Sequence, residues 1–189
     1  MAIGFPESVR TKTGMYLGNN EGKGIINLIC GQVKDCISLC QNENLFVEVS
    51  ILTNGKFTMK FNSKTDLSPF FKDFKSERKP YKNYHTMVLA GVANKLEILT
   101  KKCKVHYLKG VLKSPFFSNA DNSKSVTLNF NLDNAVFKDT NVDYQNLSEE
   151  LLQIALLNRG IEILVKDARQ KYHSQNYYCL SPLIVGHFS

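Results

Sequence analysis

The stretch Glu7-Ser-Val-Arg-Thr-Lys-Thr-Gly-Met-Tyr-Leu-Gly18, with the segment behind it from Gly24 to Cys40, decides how the rest of the chain is read. Gly14 and Gly18 bracket a short apolar group, Met15, Tyr16 and Leu17, which reads as a turn-rich plug. From Gly24 onward, Ile25, Ile26, Leu28, Ile29, Val33, Cys36, Ile37 and Cys40 recur near the 3.6-residue period. That spacing predicts an amphipathic helix with its stripe on a core.

Downstream the period changes. Leu45 to Leu52 alternates apolar and polar residues, Asn54-Gly55 is a two-residue hairpin signal, and Lys56 to Phe61 alternates again. From Asn62 to Asn83 periodicity is lost among Ser, Lys, Asp and Pro, with Phe70, Phe71, Phe74 and Tyr81 interspersed, which reads as a long loop holding one short helix near Pro69 to Phe74. His85 to Lys95 reads as a short apolar helix, and Leu96 to Leu99 and Lys104 to Leu108 as strands across a Lys-Lys turn. Val111 to Ser123 reads as loop and Ser125 to Leu132 as a strand. A helix capped by Asn141 or Asp143 runs to Asn158 and stops at Gly160. Ile161 to Val165 is a strand, with an edge strand in the tail from Tyr177 to Ile184. The order predicts an α+β fold: a two-layer sandwich with one mixed, mainly antiparallel sheet covered by helices on one face.

Composition bounds the function classes. The chain has 189 residues, enough for one domain with a real core. No apolar run approaches the roughly 20 residues of a membrane span, and no secretory leader pattern opens the sequence, so a cytoplasmic protein is expected. Five cysteines, Cys30, Cys36, Cys40, Cys103 and Cys179, are odd in number, and three share one helix, which suits reduced thiols. A net charge of +7 is compatible with a nucleic-acid or acidic-protein partner.

The opening words resemble the E-x-V-R-x-R-P-G-M-Y-I-G motif that begins the ATPase domain of the DNA gyrase B subunit and its topoisomerase IV counterpart, the GHKL or Bergerat fold. Gly22-Lys-Gly24 through Ile37 is similar to the family's G-T-G-L-H-H-M-V-x-E-V-V-D-N-A-I, Lys95 to Leu99 to its K-L-E-L, and Leu157 to Leu164 to its L-N-S-G-V-S-I-R-L. The resemblance covers most of the chain and implies a single GHKL-like domain over 1–189, with residues 62–83 where the ATP lid belongs.

The same resemblance implies a nucleotide site whose chemistry is missing. Gly31 stands at the position of the glutamate that polarises the attacking water, a general-base role that needs a carboxylate. Asp35 stands at the position of the magnesium-binding asparagine and keeps an oxygen ligand. The aspartate that accepts the adenine amino proton aligns with Phe61 or, one residue shifted, with Asn62. The glycine-rich phosphate loop should lie near Asn83 to Met87, where there is no glycine, although a backbone that cradles phosphate needs one. Ser125 keeps the hydroxyl of the family's threonine strand, and Tyr107 replaces an arginine.

No catalytic residue, metal or cofactor is therefore expected. The expected role is a binding or regulatory pseudo-ATPase, directed at a gyrase or topoisomerase subunit or at nucleic acid, as a homo- or heterodimer. With Met1 to Pro6 alone before the motif, strand passage by this chain by itself is not expected. The first rival is an ATP-binding topoisomerase-like enzyme that holds Mg-ATP through Asp35. The second is a single-strand nucleic-acid binder using Lys72, Lys75, Arg78, Lys79, Tyr81 and Lys82, a mixture of cations and rings suited to phosphates and bases. No C-x-x-C, H-E-x-x-H or G-x-S-x-G pattern supports a zinc site or a serine hydrolase.

Overall fold

A computed structural model describes residues 5–40, 44–67, 84–100, 104–113, 125–170 and 173–178. The chain begins with α1 (Phe5–Thr11), α2 (Thr13–Leu17) and α3 (Gly22–Cys40), followed by the strands β1 (Leu45–Ile51) and β2 (Lys56–Ser63). Then come α4 (Tyr84–Val92), β3 (Ala93–Leu99), β4 (Lys104–Leu108), β5 (Val111–Leu112) and β6 (Val126–Leu132). The helix α5 (Tyr144–Leu157) leads to β7 (Ile161–Asp167) and β8 (His173–Tyr178). Among the described residues eight strands form one sheet in the order β5-β4-β3-β6-β2-β1-β7-β8. Of these, only β1 and β7 run parallel; the other neighbours are antiparallel. This is the α+β two-layer architecture read from the sequence.

Alternation explains the layers. Val47 and Val49, Phe57, Met59 and Phe61, Leu128 and Phe130, Ile163 and Val165 are all buried on the helix side. Each such side chain is worth roughly 1.5–3 kcal/mol when fully buried. Phe57 and Phe130 stack with centroids 5.2 Å apart. The opposite face carries Thr58 bonded to Asn129 at 3.0 Å, and Glu48 held between Lys60 at 3.2 Å and Lys166 at 2.9 Å. Asn54 and Gly55 have φ of 60° and 65°, both positive as a type I′ turn requires, so the hairpin forms where its two-residue signal stands.

The opening motif differs from the reading as a turn-rich plug. It folds into two short helices, with Gly14 inside α2 and Met15 70% exposed. Tertiary contacts override the local glycine signal: Arg10 pairs with Asp133 at the end of β6 and donates to the Gly91 carbonyl at 3.3 Å. The helix α1 crosses α4 at Gly91, where an added Cβ would lie 2.8 Å from Val9 Cβ.

Several boundaries also shift. Asn62, read as the first loop residue, belongs with Ser63 to β2, because antiparallel pairing to β1 continues as far as Leu45 and Ser63. Ala93 to Lys95 leave the helix and enter β3, where the ladder to β6 captures them across a bulge. Val111 and Leu112, read as loop, pair with β4. The edge strand begins at His173 rather than Tyr177. Asp143, of the two candidate caps, accepts from the Asn146 N–H at 2.8 Å. The short helix read near Pro69 to Phe74 and the Lys-Lys turn lie outside the described residues. Among the described residues no helix is long and apolar enough to cross a membrane.

Candidate functional site

The apolar stripe of α3 turns one flank of that helix, Gly31, Gln32 and Asp35, toward the first turn of α4. Residues three and four apart on a helix are neighbours, so Asp35 sits beside both Gln32 and Gly31, and this flank meets His85 and Thr86. Asp35 Oδ2 lies 2.9 Å from His85 Nδ1 and also accepts the His85 backbone N–H at 3.4 Å. Thr86, fully buried, donates its hydroxyl to Gln32 Oε1 at 2.9 Å. Gln32 Nε2 is buried without a partner among the described residues, which is a local cost in an otherwise satisfied interface. Tyr84 meets the His85 ring edge-on, with centroids 5.1 Å apart.

Gly31 is where this packing is tightest. An ideal Cβ on Gly31 would lie 2.7 Å from His85 Cγ and closer still to Cδ2 and Nε2. The Cδ2–Nε2 edge of the imidazole therefore rests on the backbone of α3, while Nδ1 faces Asp35. Sequence reasoning singled out Gly31 and Asp35 but read His85 only as the start of a short apolar helix. Nothing in the linear sequence joins a helix residue to the start of a helix fifty positions later.

The remaining positions fall apart in space. Phe61 is fully buried between Val47 of β1 and Val126 of β6. Asn62 follows it on the strand and faces the opposite, exposed side of the sheet. Ser125, half-buried, directly precedes β6. Tyr84 to Met87, inside the stretch where a phosphate loop was sought, are instead the first turn of α4. Tyr107 is buried in β4, and burial pushes its hydroxyl above the ordinary tyrosine value. Lys72, Lys75, Arg78, Lys79, Tyr81 and Lys82 lie outside the described residues. A cleft of about 610 Å³ between the start of α3 and α5 is lined by Lys23, Asn27, Asp143 and Glu150, and by none of the nucleotide-site positions singled out from the sequence.

Two thiols of α3, Cys30 and Cys36, are chemically quiet. Burial, helped by the charge of Glu150, pushes Cys30 up to about 12 despite Lys34. Burial, then Asp35 and Cys40, raises Cys36 well above its ordinary value. Protonated thiols at neutral pH are poor nucleophiles and poor metal ligands. Among the described residues no group of three His, Cys, Asp or Glu is placed to hold a metal ion.

Helix α3 sets its apolar stripe into the core as its period predicted, and sequence comparison points to the family that the opening motif resembles. The chain is 26% identical over 85% of its length to the B subunit of DNA topoisomerase 4 from Mycoplasma capricolum. It is 25% identical over 90% of its length to the DNA gyrase B subunit of Clostridium acetobutylicum, and 23% over 91% to that of Streptococcus pneumoniae. The chain resembles the GHKL ATPase domain of these topoisomerase proteins. No family profile matches it. This gyrase-B-like chain spans only 29% of the Mycoplasma protein and 31% of the Clostridium protein.

Proposed function

We propose that this gyrase-B-like domain is a pseudo-ATPase that works by binding, with a topoisomerase subunit as its partner. One observation carries the reading: the His85 imidazole, paired with Asp35, lies over Gly31 and takes the room that any side chain at that position would need. A general base must reach a water beside the nucleotide, and neither Gly31 nor an imidazole turned onto a helix backbone offers one there. Phe61 adds to this, since a buried phenyl ring replaces a hydrogen-bond acceptor. The Asp35 carboxylate is already engaged, and Tyr84 to Met87 offer no glycine to bring backbone close to phosphate. The residues present do not fit a magnesium nucleotide. The relatives, which are themselves named as subunits, support a topoisomerase-related partner.

Titration calorimetry with magnesium and a non-hydrolysable ATP analogue tests the closed site. No saturable heat is expected up to millimolar ligand. A Kd below about 1 mM, equivalent to about −4.1 kcal/mol, would refute it. Co-sedimentation with purified gyrase or topoisomerase 4 subunits tests the partner. The net charge of +7 favours a second reading, contact with nucleic acid, whose mark is affinity that falls steeply with salt.

A further inference from the structure

The face of the sheet turned away from the helices carries its charges in a particular order. Lys56 and Lys60 of β2, Lys95 of β3, Lys104 of β4 and Lys166 of β7 stand on it, against Glu48, Glu97 and Glu162. Glu48 is shared by Lys60 at 3.2 Å and Lys166 at 2.9 Å, and Glu97 by Lys95 at 3.2 Å and Lys104 at 3.3 Å. Each of these two carboxylates meets two ammonium groups, so each cluster keeps a surplus positive charge. The four lysine side chains are 42–51% exposed, whereas Glu48 and Glu97 are only 14% and 22% exposed. The negative charge is therefore sunk into the sheet while the positive charge stands in solvent. An ammonium has three donors and spends one on its glutamate, which leaves the others for a second acceptor. The helix layer has the opposite sign where it opens, since the α3–α5 cleft is lined by Asp143, Glu149 and Glu150 against Lys23.

We infer that this open face, through Lys56, Lys60, Lys95, Lys104 and Lys166, binds the phosphate backbone of a nucleic-acid duplex without reading its sequence. The inference rests on the nucleic-acid reading above and gives it a surface other than the lysines first singled out in the sequence. Lys60, Thr127, Leu99 and Lys104 follow one another in a single row across four strands, with Thr58, Asn129 and Glu97 in the next. Neighbouring strands lie about 4.8 Å apart, so the five steps from β4 to β7 set Lys104 and Lys166 about 24 Å apart. A duplex lays one phosphate charge along every ~1.7 Å of its axis, enough to meet all these cations at once. Lysines at the edges and Thr or Asn between them are the side chains that contact phosphate and sugar. A protein partner would want aromatic anchors at the centre and few lysines, and a single strand would want rings to stack on. Thr58, Thr127 and Asn129 supply neither.

The test is fluorescence anisotropy of a short labelled DNA duplex with the full chain, over a range of salt. In the variant Lys56→Gln, Lys60→Gln, Lys104→Gln, Glu48 and Glu97 each keep one lysine, so the sheet stays paired; the unfolding midpoint checks this. Affinity is expected to fall by about tenfold or more, equally for unrelated duplex sequences, and the log–log salt slope to shrink by about 0.9 for each phosphate contact removed. Lys12→Gln, Lys23→Gln, Lys34→Gln, with the same loss of net charge on the helix side, should leave binding nearly unchanged. An equal fall in both variants overturns the inference, because overall charge then suffices. Binding that survives the sheet variant but is lost on neutralising Lys72, Lys75, Arg78 and Lys79 overturns the surface and leaves the nucleic-acid reading standing. A wild-type chain that binds no duplex at low salt overturns both. A poly-glutamate peptide that competes as well as unlabelled duplex overturns the choice of nucleic acid over acidic protein.

Discussion

The Arg10–Asp133 pair gives the sharpest test of how the opening motif is held. Removing the guanidinium by Arg10→Ala strands an aspartate whose side chain is only 10% exposed and takes a donor from the Gly91 carbonyl. Asp133 keeps the Ala135 N–H at 2.8 Å, so the loss is smaller than for a fully orphaned charge. Leaving a buried charged acceptor short of its partner costs about 2–3 kcal/mol, below the 3–5 typical of deeply buried pairs. On a chain this size that is a midpoint fall of roughly 5–10 °C at neutral pH. The acid dependence gives the sign. Burial pushes the Asp133 carboxyl up, but the hydrogen bonds from Arg10 and Ala135, with the charges of Arg10 and Lys109, outweigh it and hold the group below the usual carboxylate range. A depressed carboxyl contributes stability that is present above its unfolded value of about 3.9 and is lost as pH falls through the folded value. The gap between wild type and Arg10→Ala should therefore be full at pH 7 and shrink below about pH 4. Urea unfolding of wild type, Arg10→Ala, Asp133→Ala and the double variant, at both pH values, measures it. Additive single effects, or a gap independent of pH, would refute the idea that this pair fastens α1.

Three further outcomes follow from the same geometry. Phe61→Ala empties a fully buried site between β1 and β6 and should cost about 3–5 kcal/mol in chemical unfolding, with the slope unchanged. Asp143→Ala removes the side-chain acceptor at the start of α5 and should cost about 1 kcal/mol, most of it recovered by Asp143→Asn. Cys30, held up to about 12, should resist alkylation at pH 8 in the native protein and react once unfolded, which mass spectrometry of the labelled peptide reads directly.

The sheet was legible because period-2 alternation survives in short segments: LFVEVSI, KFTMKFNS and VTLNFNL each declare one wet and one dry face. The type I′ turn was legible from Asn54-Gly55 alone. The first motif was misread as turn because Gly14 argues locally, whereas Arg10 and Val9 are placed by Asp133 and Gly91, far away in the chain. The ends of α4 and β2 were misplaced for a similar reason, since ladder pairing across the sheet decides them rather than propensity. At the site, the gap at Gly31 was visible in the sequence as an absent side chain. The His85 ring that lies over it was not, because a histidine at a helix start carries no local mark of what it touches.

The parallel pairing between β1 and β7 sets the order in which the molecule can be completed. On the ribosome the hairpin of β1 and β2 can close early, since its two strands are neighbours in sequence. One flank of Leu45–Ile51 then presents bare amides and carbonyls until Ile161–Asp167 has emerged and docked. During that interval the nascent chain carries an unprotected strand border, a template for pairing with other chains. A stalled or nicked product lacking β7 should therefore clump rather than persist as a smaller soluble fold.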